Sequence, residues 1–389
     1  MVAAGINVRA RDETLKDQLQ NGSSGSQVTG SSQGQFGLAH ALNLASRKSD
    51  RSVFDLAAEF FQLSRGRGHL SIQEYLQYGV YDRTRHDRDS RQRFLTNRLH
   101  WPITRAVCDM TWQASTEDKW LCSHILSRSA IEIPETLAII DRGHRNYPDT
   151  RTIRTADQFR EFAKTDGQLP FFGKENRGIC SLGAFLVTAV DTDRVQIYGE
   201  GWLDHETFFN EYIGGTSYIL QRQETNHDAL AQYTGHLATI RLCILAGEQD
   251  VDIPFAVLKL PGGSNFTDSF WRSGNLACGL DPLNGTIQTL CEKDGCFVQE
   301  HDRHPRTGVA LKGERVPMWD RVVELARCCA SIFQPVRYQS MDIAVTPSGP
   351  RLIEVNTGGG FDLPQLATRT GFLTDGVIAH FRRFGYTGL

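Results

Sequence analysis

The chain lacks long apolar runs and has no large excess of charge of one sign. The longest apolar stretches, such as Ile240–Ala246, are far too short to span a bilayer. The formal net charge is −3, so no overall basic field attracts nucleic acid or an acidic membrane. The N-terminal stretch MVAAGINVRARDETLKDQ has no apolar core long enough for a signal peptide. We therefore expect a cytoplasmic protein with no membrane partner.

Paired cysteine motifs are also absent, although the chain contains nine cysteines. No CxxC pair occurs, and the odd number in a long chain argues against a disulfide framework. Cys243, Cys328 and Cys329 lie among apolar residues, which predicts reduced and buried thiols.

Common metal and catalytic motifs are missing as well. The nearest approach to a zinc pattern consists of Cys291, Cys296, His301 and His304, and its spacing does not match common zinc modules. The chain has no GxxxxGK[ST] phosphate loop, no GxGxxG and no GxSxG. Nothing in the sequence supports a serine or cysteine nucleophile.

Composition and periodicity divide the 389 residues into four segments. Residues 1–37 contain a Gly/Ser/Gln-rich stretch and are predicted to be a flexible tail. Residues 38–115 carry apolar residues at helical spacing and form a predicted helical region. Residues 116–215 and 216–389 mix short strands, hairpins and helices without an internal repeat. The sum predicts an α+β protein with antiparallel hairpins rather than regular βαβ units.

Helix caps can be placed at several points in this pattern. Thr116 is the predicted cap of a helix that carries Lys119 in its first turn. Thr155 is the predicted cap of a second helix, and an amphipathic helix is expected over Trp319–Ser331.

Arginine is concentrated in the short stretch Arg83–Arg98, where aspartates are interleaved with it. The favoured interpretation is a solvated helix of mixed charge. The alternative is an RNA-binding arm, which the RGRG sequence at Arg65–Gly68 mildly supports and a salt-sensitive RNA shift would establish.

The most informative stretch runs from Met341 to Gly360, and its pattern predicts a β-hairpin with Pro347–Gly349 as the turn. In that register Asp342 lies opposite Glu354, with Cβ atoms roughly 5 Å apart, and Asn356 points to the same face. Two opposed carboxylates repel unless a cation lies between them. Mg²⁺ takes carboxylate and amide oxygens and usually adds phosphate oxygens, so we predict a magnesium site that holds a nucleotide.

A solvated hairpin is the simpler explanation for such an acidic pair. Leu352, Ile353 and Val355 surround Glu354, however, which predicts that the second strand is largely buried. Because a buried carboxylate needs a partner, the metal site is the favoured interpretation.

Two basic residues lie in stretches suited to phosphate groups. Lys174 ends a strand before a glycine-containing loop, which suits a polyphosphate, although a surface loop is an even alternative. Arg241 lies inside an apolar strand and should be paired, either with a phosphate or substrate carboxylate or in a structural salt bridge.

Other polar segments are candidates for ligand contacts. The strand end Gln221–Glu224 can offer groups to an adenine edge and a ribose, although an ordinary strand terminus is the favoured interpretation from the residues alone. Asp268, Arg272 and Asn275 lie in a Gly/Ser-punctuated segment that could line a substrate site.

Taken together, these stretches resemble an ATP-grasp enzyme. The Asp342…Glu354-x-Asn356 set is similar to the magnesium-binding pattern of D-alanine–D-alanine ligases. The closest resemblance is to the sugar-transfer-associated ATP-grasp family, through HPRTGVALKGERVPMWDRVVELA, MDIAVTPSGPRLIEVNTGGGFDLPQ and YILQRQETNHDALAQYTGHLATIRLCIL. It extends from about Thr116 to the end, and more loosely back to Phe60. The implied fold is an ATP-grasp fold, with residues 116–215 as its first subdomain and 216–389 as its C-terminal subdomain.

The resemblance implies a role for each matching position. Lys119 and Lys174 would contact ATP phosphates, and Arg241 would steady the transferred phosphoryl group. Asp342, Glu354 and Asn356 would hold Mg²⁺. Adenine and ribose contacts would come from Gln221, Gln223 and Glu224, and substrate contacts from Asp268, Arg272, Asn275 and Gly359.

The sequence departs from the family pattern at three places. Ser269 follows Asp268 where the family usually has asparagine, and Gly274-Asn275 replaces a Gly-Gly pair. Gln221 and Gln223 occupy a hinge where acidic residues are common. These departures concern substrate and ribose contacts and leave the metal set intact.

The resemblance implies an ADP-forming carboxylate–amine ligase that uses ATP and Mg²⁺ and works through an acyl phosphate. Its partners would be a small-molecule carboxylate, such as an amino acid or a sugar-linked acid, and an amine. The ligases it resembles are often dimers, so a homodimer is a further expectation. A small-molecule or sugar kinase and a nucleic-acid-binding protein are the alternatives, and the net charge argues against the last.

Overall fold

The computed structural model describes most of the chain, which folds into two compact units. The described residues are 37–165, 167–178 and 181–389. The first unit contains residues 114–225 together with 351–354, and the second contains residues 37–113, 226–350 and 355–389. Except for Gly37, the predicted tail lies outside the described residues, and the four segment limits remain a prediction.

The described residues form thirteen α-helices and fourteen strands. The helices are α1 (Leu38–Ser49), α2 (Val53–Arg65), α3 (Ile72–Gln77), α4 (Arg88–Arg91), α5 (His100–Val107), α6 (Gln113–Glu117), α7 (Lys119–Arg128), α8 (Ala156–Ala163), α9 (His205–Thr207), α10 (Asp228–Ala231), α11 (Trp319–Ile332), α12 (Asp362–Thr368) and α13 (Asp375–Arg383). The strands are β1 (Thr136–Ile140), β2 (Thr152–Ile153), β3 (Phe171–Glu175), β4 (Phe185–Val190), β5 (Arg194–Ile197), β6 (Gly201–Asp204), β7 (Tyr218–Arg222), β8 (Thr239–Ala246), β9 (Val251–Leu260), β10 (Leu276–Leu280), β11 (Cys291–Asp294), β12 (Phe297–Glu300), β13 (Tyr338–Thr346) and β14 (Gly349–Thr357).

The first unit is built on a seven-stranded sheet of order β2-β1-β7-β3-β4-β5-β6. Only β1 and β2 run parallel, and the other neighbours are antiparallel. Along β3, burial alternates, so Phe171 enters the core while Lys174 points to the other face. The core is rich in phenylalanine, namely Phe159, Phe162, Phe171, Phe185, Phe208 and Phe209.

The second unit contains a seven-stranded sheet of order β12-β11-β10-β9-β8-β13-β14. Pairing of β8 with both β13 and β9 is antiparallel, and it places Arg241 opposite Asp342 and Thr239 opposite Lys259. The N-terminal helices share a core with this sheet, since Leu56 and Phe60 pack with Val257 and Ala277. The expectation of antiparallel hairpins is confirmed.

Most predicted helix limits agree with the structure, and one is wrong. Thr155 caps α8 by accepting the amide N–H of Gln158 at 3.2 Å. The predicted helix around Lys119 does not begin at Thr116, which lies in α6. Instead, the Asp118 carboxylate accepts the amide N–H of Leu121 at 3.0 Å and starts α7.

The arginine-rich stretch Arg83–Arg98 is not one continuous solvated helix, contrary to the prediction. Only the short α4 and a 3₁₀ turn at Asn97–Leu99 are helical within it. Arg83 and Arg91 both form ion pairs with Glu59, which is 9% exposed. Arg51 also binds Glu59, at 2.9 Å. A buried acid from α2 therefore organises arginines far away in the sequence, an arrangement that local periodicity does not reveal.

This network predicts unequal effects for two arginines of α4. Arg91→Ala is expected to lower the free energy of unfolding by about 1–3 kcal/mol, because buried Glu59 loses one guanidinium partner. The matched variant Arg88→Ala changes an exposed side chain in the same helix and should shift stability by about 0.5 kcal/mol or less. Urea denaturation of both variants tests the network, and equal effects would contradict it.

The described cysteines are free thiols, as expected. Cys243 and Cys329 are buried, but Cys328 is exposed, so its predicted burial is wrong. Cys328 and Cys329 are adjacent on α11 and point to different sides of the helix. Among the described residues, no helix has the length and apolar character needed to cross a membrane.

Candidate active site

The predicted hairpin is present as β13 and β14, neighbours at one end of the second sheet. Pro347 and Ser348 lie between the strands, and Gly349, the third residue of the predicted turn, is the first residue of β14. Gly349 has φ 137°, in the region that favours glycine. The Thr346 hydroxyl donates to the Gly349 carbonyl at 2.8 Å and stabilises the turn.

Asp342 on β13 is held by Arg241 on β8. Arg241 Nε lies 2.6 Å from Asp342 Oδ1, and a terminal guanidinium nitrogen lies 2.8 Å from Oδ2. This two-pronged pairing is the strongest geometry available to an arginine and a carboxylate. It agrees with the expectation that an arginine inside an apolar strand is paired.

Lys259 on β9 is a member of the same group that sequence reasoning missed. Its Nζ lies 3.2 Å from Asp342 Oδ1 and 3.1 Å from Asp268 Oδ2. The Thr239 hydroxyl also donates to Asp268. We call Arg241, Lys259, Asp342, Asp268 and Thr239 the Asp342 cluster. The signal in the sequence was the lysine inside the apolar stretch FAVLKL, which resembles the arginine inside TIRLCIL.

The Asp342 cluster favours the ionised carboxylate. Burial by itself would raise the pKa of Asp342, but Arg241 and Lys259 outweigh burial and hold that pKa well below its usual range. Asp342 is therefore charged at every pH near neutrality.

In the first unit, Lys119 contacts Glu354. Its Nζ lies 3.0 Å from Glu354 Oε1 and donates to the Gly178 carbonyl at 2.6 Å. The Lys119 side chain is 10% exposed, and the Glu354 side chain is 26% exposed. We call Lys119, Lys174 and Glu354 the Glu354 cluster. The structure thus brings together a predicted metal ligand and a predicted phosphate ligand.

Lys174 belongs to this cluster through the backbone of β14. Its Nζ donates to the Ile353 carbonyl at 3.2 Å. Nearby Cys122 is buried, and burial raises the pKa of its thiol to about 12, although Lys174 and Lys119 act in the opposite direction. Cys122 is therefore a thiol rather than a thiolate at neutral pH.

The predicted adenine and ribose residues lie at the end of β7. Gln221 is 5% exposed, and its backbone pairs with β1 and β3 on both sides. The backbone N–H of Gln223 donates to the Pro170 carbonyl at 3.3 Å. Glu224 lies 3.4 Å from Arg351, and burial raises the pKa of its carboxyl group against the opposing effect of Arg351. Nucleotide contact by these residues stays a prediction.

The four substrate candidates are in the second unit and differ in their surroundings. Asp268 belongs to the Asp342 cluster, and the Arg272 amide donates to the Ser269 carbonyl at 3.0 Å. The Gly359 amide donates to His100 Nε2 at 2.9 Å, and its carbonyl accepts from the Tyr338 hydroxyl at 2.7 Å.

Asn275 has a structural task that uses its whole side chain. It is fully buried, and its Oδ1 accepts from the Gly262 amide and from Asn265 at 2.8 and 2.9 Å. Its Nδ2 donates to the carbonyls of Thr267 and Ser269 at 2.8 and 2.7 Å. Since an amide side chain offers two acceptor sites and two donors, no capacity remains for a substrate. Asn275 supports the 262–275 loop.

The metal candidates have the chemistry that Mg²⁺ requires. Asp342, Glu354 and Asn356 supply two carboxylates and an amide, which are hard oxygen ligands. Asn356 Nδ2 is buried without a hydrogen-bond partner, and the atom of this amide that could bind Mg²⁺ is Oδ1. Among the described residues, no group of three or more His, Cys, Asp or Glu side chains could hold a metal ion. The predicted set is not such a group, because Asn356 is of another residue type and only Asp342 and Glu354 remain. That Asp342 and Glu354 face one another stays a prediction.

A carboxyl group close to the glycines that follow β14 predicts a pH effect on stability. Burial raises the pKa of Asp362 to about 6, with Glu74 adding to the shift. In the unfolded chain the pKa of this carboxyl group is about 3.9. Between about pH 3.9 and pH 6, Asp362 is therefore protonated in the folded protein and ionised in the unfolded chain. Wild-type stability falls as pH rises through that window.

Asp362→Asn is thus expected to raise the free energy of unfolding by about 2–3 kcal/mol at pH 7.5 and to bring no such gain at pH 4. Urea denaturation at both values measures the difference. The control Asp302→Asn replaces a carboxylate whose side chain is 97% exposed and should show no such dependence. An equal effect of Asp362→Asn at both pH values would contradict the assignment.

Comparison with known proteins identifies the family. Over residues 106–377, the sequence matches the family model described as sugar-transfer associated ATP-grasp. The chain belongs to this family. The predicted ATP-grasp fold, an α+β fold with a helical N-terminal region, is confirmed by this match and by the arrangement of helices and strands. No curated protein matches the sequence.

Solved structures similar to this ATP-grasp protein are distant in sequence. VanG D-Ala:D-Ser ligase from Enterococcus faecalis is 13% identical, with 70% of this chain and 64% of that chain covered and a TM-score of 0.41. D-alanyl-alanine synthetase A from Vibrio cholerae is 12% identical, with 71% and 67% covered and a TM-score of 0.44. N5-carboxyaminoimidazole synthase from Aspergillus clavatus is 8% identical, with 71% and 57% covered and a TM-score of 0.35. The chain therefore matches about two thirds or less of the length of these proteins.

Proposed function

We propose that this ATP-grasp protein is an ATP-dependent, ADP-forming carboxylate–amine ligase. A substrate carboxylate attacks the γ-phosphorus of ATP, and ADP leaves. An amine then attacks the carbonyl carbon of the acyl phosphate; a C–N bond forms, the bond to the phosphate oxygen breaks, and the amine loses a proton. The proposed acid is an amino acid or a sugar-linked carboxylate.

The observation that carries this proposal is the Asp342 cluster, in a chain of the ATP-grasp family. An arginine and a lysine beside two carboxylates suit a site where phosphate groups and a metal ion are handled. Mg²⁺, held by Asp342, Glu354 and Asn356, would neutralise phosphate charge. Arg241 then steadies the transferred phosphoryl group, and Lys119 and Lys174 bind the phosphates of ATP.

Two of the buried cysteines, Cys108 and Cys122, are poor candidates for a protein nucleophile. Burial raises the pKa of Cys108 to about 11 and that of Cys122 to about 12. Both remain protonated at neutral pH, and a thiol is a poor nucleophile compared with a thiolate. The proposed reaction requires no protein nucleophile.

Product analysis with hydroxylamine tests the proposal. The protein is incubated with Mg-ATP, a pool of amino acids and sugar acids, and hydroxylamine, which traps acyl phosphates as hydroxamates. The ligase proposal predicts acid-dependent ADP and phosphate together with hydroxamate. ADP without phosphate or hydroxamate would contradict it and indicate a kinase. AMP and pyrophosphate would contradict it as well.

A further inference from the structure

The predicted metal ligands are already engaged with cations of the protein. In the second unit, Arg241 and Lys259 both contact Asp342. In the first unit, Lys119 contacts Glu354. A site prepared for a free divalent cation would leave its carboxylates without cationic partners, so these contacts call for an explanation.

Lys259 is the most deeply placed of these cations. Its side chain is 6% exposed, compared with 23% for Arg241. It bridges two carboxylates, Asp342 at 3.2 Å and Asp268 at 3.1 Å, whose side chains are 7% and 14% exposed. A buried lysine with two carboxylate partners can move away from one of them and still keep an ion pair with the other, which offsets the cost of its buried charge.

The Asp342 cluster is formally neutral as it stands. Arg241 and Lys259 contribute two positive charges, and Asp342 and Asp268 contribute two negative charges. Placing a divalent cation on Asp342 would add two positive charges next to two fixed ones. These repulsions offset the attraction of Asp342 and Asp268 for the metal ion. The cluster therefore binds a metal ion alone less strongly than the same carboxylates would without their cationic partners.

Nucleotide phosphates remove this obstacle because they bring negative charge with the metal. When phosphate oxygens are present, a lysine that turns from Asp342 towards Asp268 or a phosphate frees one lone pair of Asp342 Oδ1, while Arg241 keeps its contacts with both oxygens. The Thr239 hydroxyl, which donates to Asp268, keeps that second carboxylate in position. The bridging geometry therefore suits an exchange of partners.

We propose that Lys259 is a positioning residue that couples metal binding to nucleotide binding: it holds Asp342 in the free protein and releases it when phosphate enters. The inference rests on the proposed function, since it assumes the same nucleotide site. Its consequence is that a divalent ion binds weakly alone and tightly with nucleotide.

Mn²⁺ binding followed by electron paramagnetic resonance measures this coupling without any turnover. Mn²⁺ serves as the probe, and its dissociation constant is determined for the full chain with and without saturating ADP, after correction for the Mn–ADP complex in solution. For the wild type we expect ADP to tighten Mn²⁺ binding by about 10-fold or more, within the range common for coupled sites.

Two substitutions should move the coupling in opposite directions. Lys259→Met removes one positive charge, so Mn²⁺ alone should bind about 10-fold tighter and the effect of ADP should shrink. Asp268→Asn removes the second partner of Lys259, so Mn²⁺ alone should bind more weakly and the effect of ADP should grow. Lys259→Arg keeps the charge and should stay near the wild type. If Lys259→Met fails to fold, Mn²⁺ binding to Asp268→Asn still tests the role of Lys259.

Lys312 offers a matched control, because it also bridges two carboxylates, Glu300 at 2.9 Å and Asp302 at 3.1 Å. Lys312→Met should leave Mn²⁺ binding and its dependence on ADP unchanged. Unchanged coupling in both Lys259→Met and Asp268→Asn would overturn the role of Lys259 and leave the proposed function standing. Absence of Mn²⁺ binding to the wild type even with ADP would overturn both.

Discussion

Replacing Glu354 with glutamine is expected to reduce ATP turnover by at least about 10²–10³-fold, the loss typical for removal of one group that stabilises charge in the transition state. Glutamine is neutral, so it is a weaker ligand for a hard cation and gives Lys119 no ion pair at 3.0 Å. Lys119, whose side chain is 10% exposed, keeps the Gly178 carbonyl as a partner at 2.6 Å, so the cost in folding stability should stay within about 1–3 kcal/mol.

Turnover in this experiment is followed as acid-dependent ADP release, with circular dichroism as the check on folding. Glu248→Gln is the matched control, since Glu248 forms an exposed pair with Arg383. The control should keep wild-type turnover. A folded Glu354→Gln protein with wild-type turnover would show that Glu354 is not a metal ligand.

Arg241→Met is expected to reduce both stability and turnover. Asp342 loses its two-pronged partner while its side chain remains 7% exposed, and breaking a buried pair from one side typically costs about 3–5 kcal/mol. Lys259 stays beside Asp342, so we expect the lower end of that range, about 3 kcal/mol. Turnover should fall by about 10²-fold or more, because the phosphoryl group loses its guanidinium.

A second substitution separates the two effects of Arg241→Met. Adding Asp342→Asn removes the uncompensated charge, so stability should recover in part while turnover stays low. Arg315→Met, which breaks an exposed pair with Asp320, should change neither property. Equal stability of the wild type and Arg241→Met at pH 7 would contradict the role given to the pair.

The stability loss in Arg241→Met should depend on pH in a defined direction. The folded pKa of Asp342 lies below its usual range, so the ion pair stabilises the fold fully above the unfolded pKa of about 3.9. That contribution is lost as pH falls through the folded pKa. Urea denaturation at pH 7 and pH 3.5 should therefore show a smaller difference between wild type and variant at the lower pH.

Local patterns in the sequence were sufficient to predict the hairpin and the pairing of Arg241. Alternation of side chains on both sides of a Pro-Ser-Gly-Pro turn leaves few other structures for residues 341–360. An arginine within an apolar strand must find a partner, although the pattern does not say which. The structure supplies the partner, since the register of β8 and β13 places Asp342 opposite.

The remaining contacts join segments that are far apart in the sequence. Lys119 contacts Glu354, and Arg83 and Arg91 contact Glu59. No short stretch of sequence contains both partners of any of these pairs. The position of Lys259 in an apolar strand indicates that it needs a partner, as for Arg241, but it does not indicate that the lysine bridges two acids. The start of α7 was misplaced because Thr116 and Asp118 are both acceptable caps.

Isothermal titration calorimetry of ADP binding, in Mg²⁺ and in EDTA, tests the central claim most directly. The claim is that the chain binds nucleotide together with Mg²⁺ and that Glu354 takes part in this binding. It predicts that the wild type binds ADP in Mg²⁺, that EDTA weakens binding by about 10-fold or more, and that Glu354→Gln removes this difference. ADP binding of equal strength with and without Mg²⁺, or no ADP binding by the folded wild type, would contradict it.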